Sequence, residues 1–348
     1  MKQPPDLQLL ANQLVAWFQA HGRDYPWRQT QDPYAVLVSE IMLQQTQIAT
    51  VLGRNYYTRW LARFPDFATL AAADEASILK AWEGLGYYRR ARNLQKLAQA
   101  IVAEHDGAMP SDPSKILALP GIGPYTAGAI SSFAFGLPEP IVDGNVARVL
   151  ARVFDDDTPV DSSAGIRRQW DIARQIVKHA SDPRALNSGL MELGQTICKP
   201  GLPECIACPI KARCQTRRAS ELPVKRPPAV VTEVDEHVLF HSTPQGILLE
   251  QEAGSRRTGM WKLPPLSDDA AADQRGPVIL KLRYGITRYR VTLWVHTLTG
   301  ALPGSNAVRQ FFTADEVHAL AMPSPFRRAI TRLMSAGLLG DFELRAED

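Results

Sequence analysis

Four cysteines, Cys198, Cys205, Cys208 and Cys214, are all the cysteines of a 348-residue chain, and they fall within one stretch of 17 residues. Their spacing is C-x6-C-x2-C-x5-C. Thiols this close together make poor use of disulfides, which stabilise most by closing long loops. A compact loop that wraps one metal centre uses all four. Four thiolates can hold zinc or a [4Fe–4S] cluster, and the spacing alone allows either. Lys199, Lys211, Arg213, Arg217 and Arg218 would surround that centre with positive charge.

Everything before this loop reads as helix. Residues 7–20 place Leu10, Leu14, Trp17 and Phe18 on one side. The segment HGRDYPWRQTQDPY interrupts that pattern. A long helix is expected from about Tyr34 to Trp60, with Leu37, Ile41, Ile48 and Leu52 in its apolar stripe. It carries SEIMLQQTQ, and Glu40 adjoins the stripe. A carboxyl at the edge of buried surface acquires a raised pKa, as a general acid requires. The amides of QQTQ can hydrogen-bond a base edge or fill a gap in a base stack. Two or three helices are expected over 67–105, turning at GLGYYRRARN, where Tyr87 and Tyr88 adjoin Arg89, Arg90 and Arg92. Aromatics beside cations suit base stacking with phosphate contact.

The stretch 119–152, LPGIGPYTAGAISSFAFGLPEPIVDGNVARVLAR, carries the next signal. Gly121 and Gly123 open a turn that runs into a helix near Pro124. The free N–H groups of such a helix start can seat a phosphate without side-chain charge. Asp143 stands between an apolar run and another helix, and Asn145, Arg148 and Arg152 follow it near an expected DNA backbone. Further helices are expected at about 163–180 and 184–198, with no strand pattern before residue 220.

Hydrophobic residues make up 45% of the chain, enough for a sizeable core, and the length suggests two domains. The net charge is +3, and residues 221–348 carry equal numbers of acids and bases, so the excess lies in the first part. No apolar run is long enough to span a membrane, and the first residues lack the order of a signal peptide. A cytoplasmic, monomeric protein is expected. Prolines 223, 227 and 228 mark a linker over 221–232. Beyond it EHVLFH, GILLEQ, RYRVTLWVHTL and AVRQFF alternate as strands, and SPFRRAITRLMSAG reads as a helix.

Taken together, 7–220 resembles the helix-hairpin-helix DNA glycosylases of the endonuclease III superfamily. LPGIGPYTAGAI is similar to their hairpin, Asp143 to their essential aspartate, and the cysteine spacing to their [4Fe–4S] loop. Within that superfamily PWR, SEIMLQQTQ, GLGYYRRARN and VDGNVARVLAR resemble the adenine glycosylase branch, the MutY family. The resemblance implies a multidomain chain. An all-α glycosylase domain over 1–220 would hold a six-helix barrel at about 29–137. The N-terminal segment and 138–220 would form the iron–sulfur module. The linker 221–232 would lead to an α/β, Nudix-like domain over 233–348 that detects 8-oxoguanine.

The resemblance also implies residue roles. Glu40 would protonate adenine, and Asp143 would stabilise the oxocarbenium-like sugar, with Tyr125 and Asn145 orienting them. The base would leave a double helix holding an adenine mispaired with 8-oxoguanine or guanine. Gln45 and Tyr87 would enter the vacated stack, Trp27 and Arg28 would line the base pocket, and Gly121 and Gly123 would hold phosphates. Bifunctional relatives carry a lysine where this chain has Tyr125. A phenol cannot form a Schiff base, so base removal without strand cleavage is implied.

Two departures stand out. Ser188 occupies a place where the family usually has Gln or Glu facing adenine, and Ile286-Thr287-Arg288 replaces Phe-Ser-His in the 8-oxoguanine loop. The Nudix catalytic box is absent, so no pyrophosphohydrolase activity is expected. Two other readings are an endonuclease III-like pyrimidine glycosylase with lyase activity and a non-catalytic iron–sulfur DNA-binding protein.

Overall fold

A computed structural model describes residues 5–227, 230–254, 257–266, 275–299 and 307–336. The chain divides into two compact units that are discontinuous in sequence. One holds the described residues of Met1–Ile48, Leu61–Ala71 and Leu94–Pro227. The other holds Ala49–Trp60, Ala72–Asn93 and the described part of Pro228–Asp348. Among the described residues no helix is long and apolar enough to cross a membrane.

The helices begin with α1 (Leu7–His21), whose N-cap Asp6 accepts from the Leu9 N–H. Next is α2 (Pro33–Leu43), capped by Asp32 with Pro33 at its first position. The long helix expected over 34–60 is broken. It becomes α2, α3 (Ile48–Gly53) and α4 (Tyr56–Arg63). Gln45 at φ 55° and Asn55 at φ 51° stand at the two breaks. A left-handed residue cannot continue a right-handed helix, whatever the apolar stripe around it. Then come α5 (Phe67–Ala72), α6 (Glu75–Ala81) and α7 (Arg89–Glu104). The hairpin pair is α8 (Pro113–Ala118) and α9 (Pro124–Phe133), followed by α10 (Gly144–Val153), α11 (Ser163–Val177) and α12 (Pro183–Thr196). Residues 7–213 hold no strand.

In the first unit α1, α10, α11 and α12 share a core of Leu10, Leu14, Val149, Leu150, Ile176 and Leu190. Two glycines of α12 set its distances. A Cβ on Gly189 would lie 3.2 Å from the Leu14 carbonyl oxygen, and one on Gly194 would lie 2.7 Å from the Asn145 Cβ. Their lack of a side chain lets α12 close on α1 and on the start of α10.

In the second unit β1 (Thr232–Phe240) begins the strands. It is followed by β2 (Ser242–Thr243), β3 (Gly246–Gln251), β4 (Trp261–Lys262), β5 (Arg275–Ile286), β6 (Tyr289–Leu298) and β7 (Arg309–Phe312). One sheet has the order β1-β6-β5, with β1 parallel to β6 and β5 antiparallel to it. In the other, β3 pairs antiparallel with β2, β4 and β7. The helices α13 (Ala314–Ala319) and α14 (Ser324–Ser335) complete the unit. Phe326, Ile330 and Leu333 of α14 join Val238, Leu249, Leu293 and Phe312 in its core. The strand β5 and the short helix α13 are absent from the sequence reading. Ala314 and Val317 are too few apolar positions to show a helical period. A mixed β/α region thus follows the helical one.

Candidate active site

The site is built where α2 meets α9 and α10 begins. Every residue of α2 from Tyr34 to Met42 is buried, Glu40 keeping only 6% exposure. Burial pushes its carboxyl up to about 7. A hydrogen bond from Tyr125 opposes that rise, the charge of Asp143 adds to it, and Arg28 opposes it weakly. The Tyr125 hydroxyl donates to Glu40 Oε2 at 2.8 Å. Burial, then the Glu40 and Asp143 charges, push the phenol well above its ordinary value, so it stays a donor. Glu40 is thus poised to hold or release a proton near neutrality, as general acid–base work requires.

Asp143 is the N-cap of α10. Its Oδ1 accepts from the backbone N–H of Asn145 at 2.9 Å and of Val146 at 2.7 Å. Its Oδ2 accepts from Asn145 Nδ2 at 2.9 Å. The cap reading and the catalytic reading therefore describe one carboxylate. Arg148, expected beside a DNA backbone, is buried instead. It donates to Asn145 Oδ1, to the Gly194 carbonyl and to the Cys198 carbonyl. Arg152, only 1% exposed, donates to the carbonyls of Leu222, Cys198, Lys199 and Gly201 and to Cys198 Sγ. Helical spacing puts both arginines on the face of α10 that meets the cysteine loop.

The hairpin lies between α8 and α9. Gly121 has φ 79°, and the Ile122 N–H donates back to the Leu119 carbonyl at 3.2 Å. Gly123 is the N-cap of α9 and offers no side-chain cap, while Pro124 takes the first position. The first turn of α9 thus keeps its N–H groups for another acceptor.

Trp27 and Arg28 sit in the short 3-10 turn Pro26–Arg28. Trp27 is buried and stacks on Tyr25 with ring centroids 5.2 Å apart. The Arg28 guanidinium lies over Phe18 and Tyr25, and its Nη1 is 2.9 Å from Glu192 Oε2. Ser188 is buried on α12, one turn before Glu192.

Sequence reasoning passed over two residues here. Glu192 is 1% exposed, and among the described residues it accepts no well-aligned hydrogen bond and has Arg28 and Arg23 as its ion-pair partners. Arg184 donates to the Arg28 and Thr30 carbonyls and fixes the turn. A carboxylate inside the apolar run NSGLMELG was the available signal.

Gln45 and Tyr87 are each exposed and each held at positive φ, 55° and 47°. Such backbone costs a non-glycine residue about 1–2 kcal/mol and concentrates at functional positions. Of the cations beside Tyr87, Arg90 donates to the Leu85 and Gly86 carbonyls, and Arg92 donates to Glu75 and to the Thr258 carbonyl. Neither is free for phosphate, contrary to the sequence expectation. Thr287 and Arg288 form the exposed two-residue turn between β5 and β6. The Thr287 hydroxyl donates to the Ile286 carbonyl, and Arg288 lies over Tyr289.

The four cysteines share the loop 198–214 with the 3-10 turns Cys205–Ala207 and Lys211–Arg213, and none is in a disulfide. Burial pushes the Cys208 thiol up to about 11; the Ile210 N–H offsets this, and the charges of the other three cysteines add to it. Four thiolates gathered this way need a compensating cationic centre. Among the described residues no three metal-ligating side chains close on a point that would hold a single ion. The basic rim is partly neutralised, by Lys199–Glu204 at 2.5 Å and Arg218–Asp157 at 3.1 Å.

An all-helical fold with a glycine hairpin, a capping aspartate and a buried glutamate defines a class. Residues 38–169 match the profile of the HhH-GPD superfamily base excision DNA repair proteins. The fold is similar to that of a thermostable thymine-DNA glycosylase, with TM-score 0.55 and 28% identity over 60% of this chain and 95% of that one. A trapped endonuclease III–DNA covalent intermediate has the same fold, with TM-score 0.51 and 23% identity over 62% of this chain and 98% of that one. The adenine DNA glycosylase of Mycobacterium tuberculosis (strain ATCC 25618 / H37Rv) is 38% identical over 216 residues, 62% of this chain and 70% of that protein. The human adenine DNA glycosylase is 43% identical over 217 residues, 60% of this chain and 39% of that protein. The chain belongs to the adenine DNA glycosylase family. It spans well under half the length of the mammalian relatives it matches.

Proposed function

We propose that this protein is a monofunctional adenine DNA glycosylase of base excision repair, acting in the cytoplasm on double-stranded DNA with adenine opposite 8-oxoguanine or guanine. The observation that carries the reading is the Glu40–Tyr125 pair beside Asp143. A buried carboxyl titrating near 7 can protonate the leaving adenine, while Tyr125 holds Oε2 and fixes the direction of the other oxygen. Asp143, fed by three donors, is a pre-set negative charge for the oxocarbenium-like sugar. Glu40, once deprotonated, can take a proton from the attacking water. Tyr125 offers no amine, so no imine forms with the sugar and the strand stays intact.

The adenine is flipped out of the duplex. Gln45 and Tyr87 take its place in the stack, Trp27, Arg28 and Ser188 line the base pocket, and the amides at Gly121 and Gly123 hold the strand. Thr287 and Arg288 face the oxidised base. Cys198, Cys205, Cys208 and Cys214 hold a [4Fe–4S] cluster. The support for a cluster rather than zinc is the C-x6-C-x2-C-x5-C spacing, which is similar to that of the family's [4Fe–4S] loop. That cluster supplies the positive centre that keeps the loop folded, and Arg148 and Arg152 tie the loop to α10.

The test is adenine release from duplexes with each mispair, by wild type, Glu40→Gln and Asp143→Asn. The reading expects release by wild type alone. Full activity in either variant would end the assigned roles, and a borohydride-trapped adduct would replace them with lyase chemistry.

A further inference from the structure

The second unit contains a cavity of about 510 Å³ whose lining includes none of the site residues assigned above. Its walls come from 54–59, 80–84 and 318–328, all within that unit. Five of its lining residues are Arg or Lys and one is Glu. This one cavity therefore holds a larger cationic excess than the whole chain, whose net charge is +3.

The charges sort into two groups. Glu83 is already used: Arg327 meets it at 2.6 Å and Lys80 at 2.9 Å. Both cations are also tied down, Lys80 to the His318 and Leu320 carbonyls and Arg327 to the Val317 and Leu320 carbonyls. Arg54, Arg59 and Arg328 are exposed, and their side chains have no hydrogen bond or ion pair among the described residues. Like charges left together without a carboxylate repel one another, and that cost is recovered when an anion enters.

The wall is shaped rather than accidental. The Tyr56 hydroxyl donates to the Glu83 carbonyl at 2.7 Å and passes over Gly84. A Cβ there would meet that oxygen at 2.0 Å, and Gly84 has φ 100°. The N-terminus of the twelve-residue α14 also opens here at Ser324, with no side-chain cap. Its dipole adds to the same sign of field.

We propose that this cavity binds phosphate groups through Arg54, Arg59 and Arg328, at a site separate from the glycosidic chemistry. A strand's backbone and a free polyphosphate share that chemistry, and two arms distinguish them. The first measures tripolyphosphate binding to the full chain by calorimetry. The second measures the salt dependence of binding to duplex DNA without a lesion. Wild type is compared with R54A/R59A/R328A, and with R328E where the triple variant does not fold. A loss of at least tenfold in tripolyphosphate affinity with an unchanged duplex slope assigns the site to a free phosphate compound. A duplex slope of log K against log salt that is shallower by about 2–3 in the triple variant, or about 1 in R328E, assigns it to strand phosphates. If neither binding changes, the proposal is overturned. Adenine release from a mispaired duplex at saturating enzyme reports separately on the catalytic reading, because none of these arginines belongs to that machinery.

Discussion

Arg148 Nη2 donates to Asn145 Oδ1 at 2.9 Å, and this bond decides which way the Asn145 amide faces. A guanidinium has only donors, so the amide oxygen must point to it and the NH₂ to Asp143. Removing Arg148 frees the amide to turn. We expect Arg148→Ala to lower kcat for adenine release by roughly 10–100-fold, the effect of about 1–3 kcal/mol lost from a buried polar contact. KM should change little. Single-turnover kinetics check this; a fall in KM-governed binding alone would contradict it.

Glu40 sets a pH limit. The proton it would donate under the proposed mechanism is present below about 7 and lost above it. Adenine release under single-turnover conditions should therefore decline as pH rises through 7. The Tyr125 bond lowers the Glu40 value, so Tyr125→Phe should move that decline to higher pH.

The same group costs stability at high pH. Its folded value, about 7, lies above its ordinary 4.5. The folded state holds the proton more tightly, so this contribution is complete below 4.5 and is lost as pH rises through 7. At full size it is about 3 kcal/mol. Glu40→Gln has no proton to lose. It should melt higher than wild type at pH 8, with the gap closing toward pH 5, while releasing no adenine.

Gln45 and Tyr87 carry left-handed backbone on the surface. Gln45→Gly and Tyr87→Gly should leave the melting temperature unchanged or raise it by the equivalent of about 1 kcal/mol. Both should slow adenine release from a mispair. Thermal melts beside single-turnover rates test the separation.

Removing the cluster should act through the loop. Visible absorption near 400 nm and iron analysis report it, and Cys208→Ser should lose both signals. The Cys198, Lys199 and Gly201 carbonyls that Arg148 and Arg152 hold lie in that loop, so the variant should melt lower and bind duplex DNA more weakly. Retained affinity without iron would show that the loop folds unaided.

The proposed acid and its neighbours were legible because short motifs carried them. Glu40 in SEIMLQQTQ, Tyr125 behind the hairpin glycines and Asp143 before α10 each had a local reason. The break at Gln45 was not, because an apolar stripe continues in phase across a residue whose φ has changed sign. Arg148 and Arg152 were misread because charge suggests surface, whereas backbone carbonyls at a loop can satisfy a buried guanidinium. Glu192 was hidden for a similar reason: its partner Arg28 lies far back in the sequence, and only the fold brings them together.

The second unit has one more consequence. The linker after residue 220 looks like a place to cut the chain into two independent pieces. Arg327 donates to Glu83, Tyr88 donates to the Met322 carbonyl and Lys80 donates to the His318 carbonyl. A fragment ending at the linker would keep Glu83, Tyr88 and Lys80 and lose every one of those partners. Severing the chain there would leave Glu83, Tyr88 and Lys80 with water in place of those protein partners, so the end of the helical fragment would carry newly exposed polar groups along 80–88.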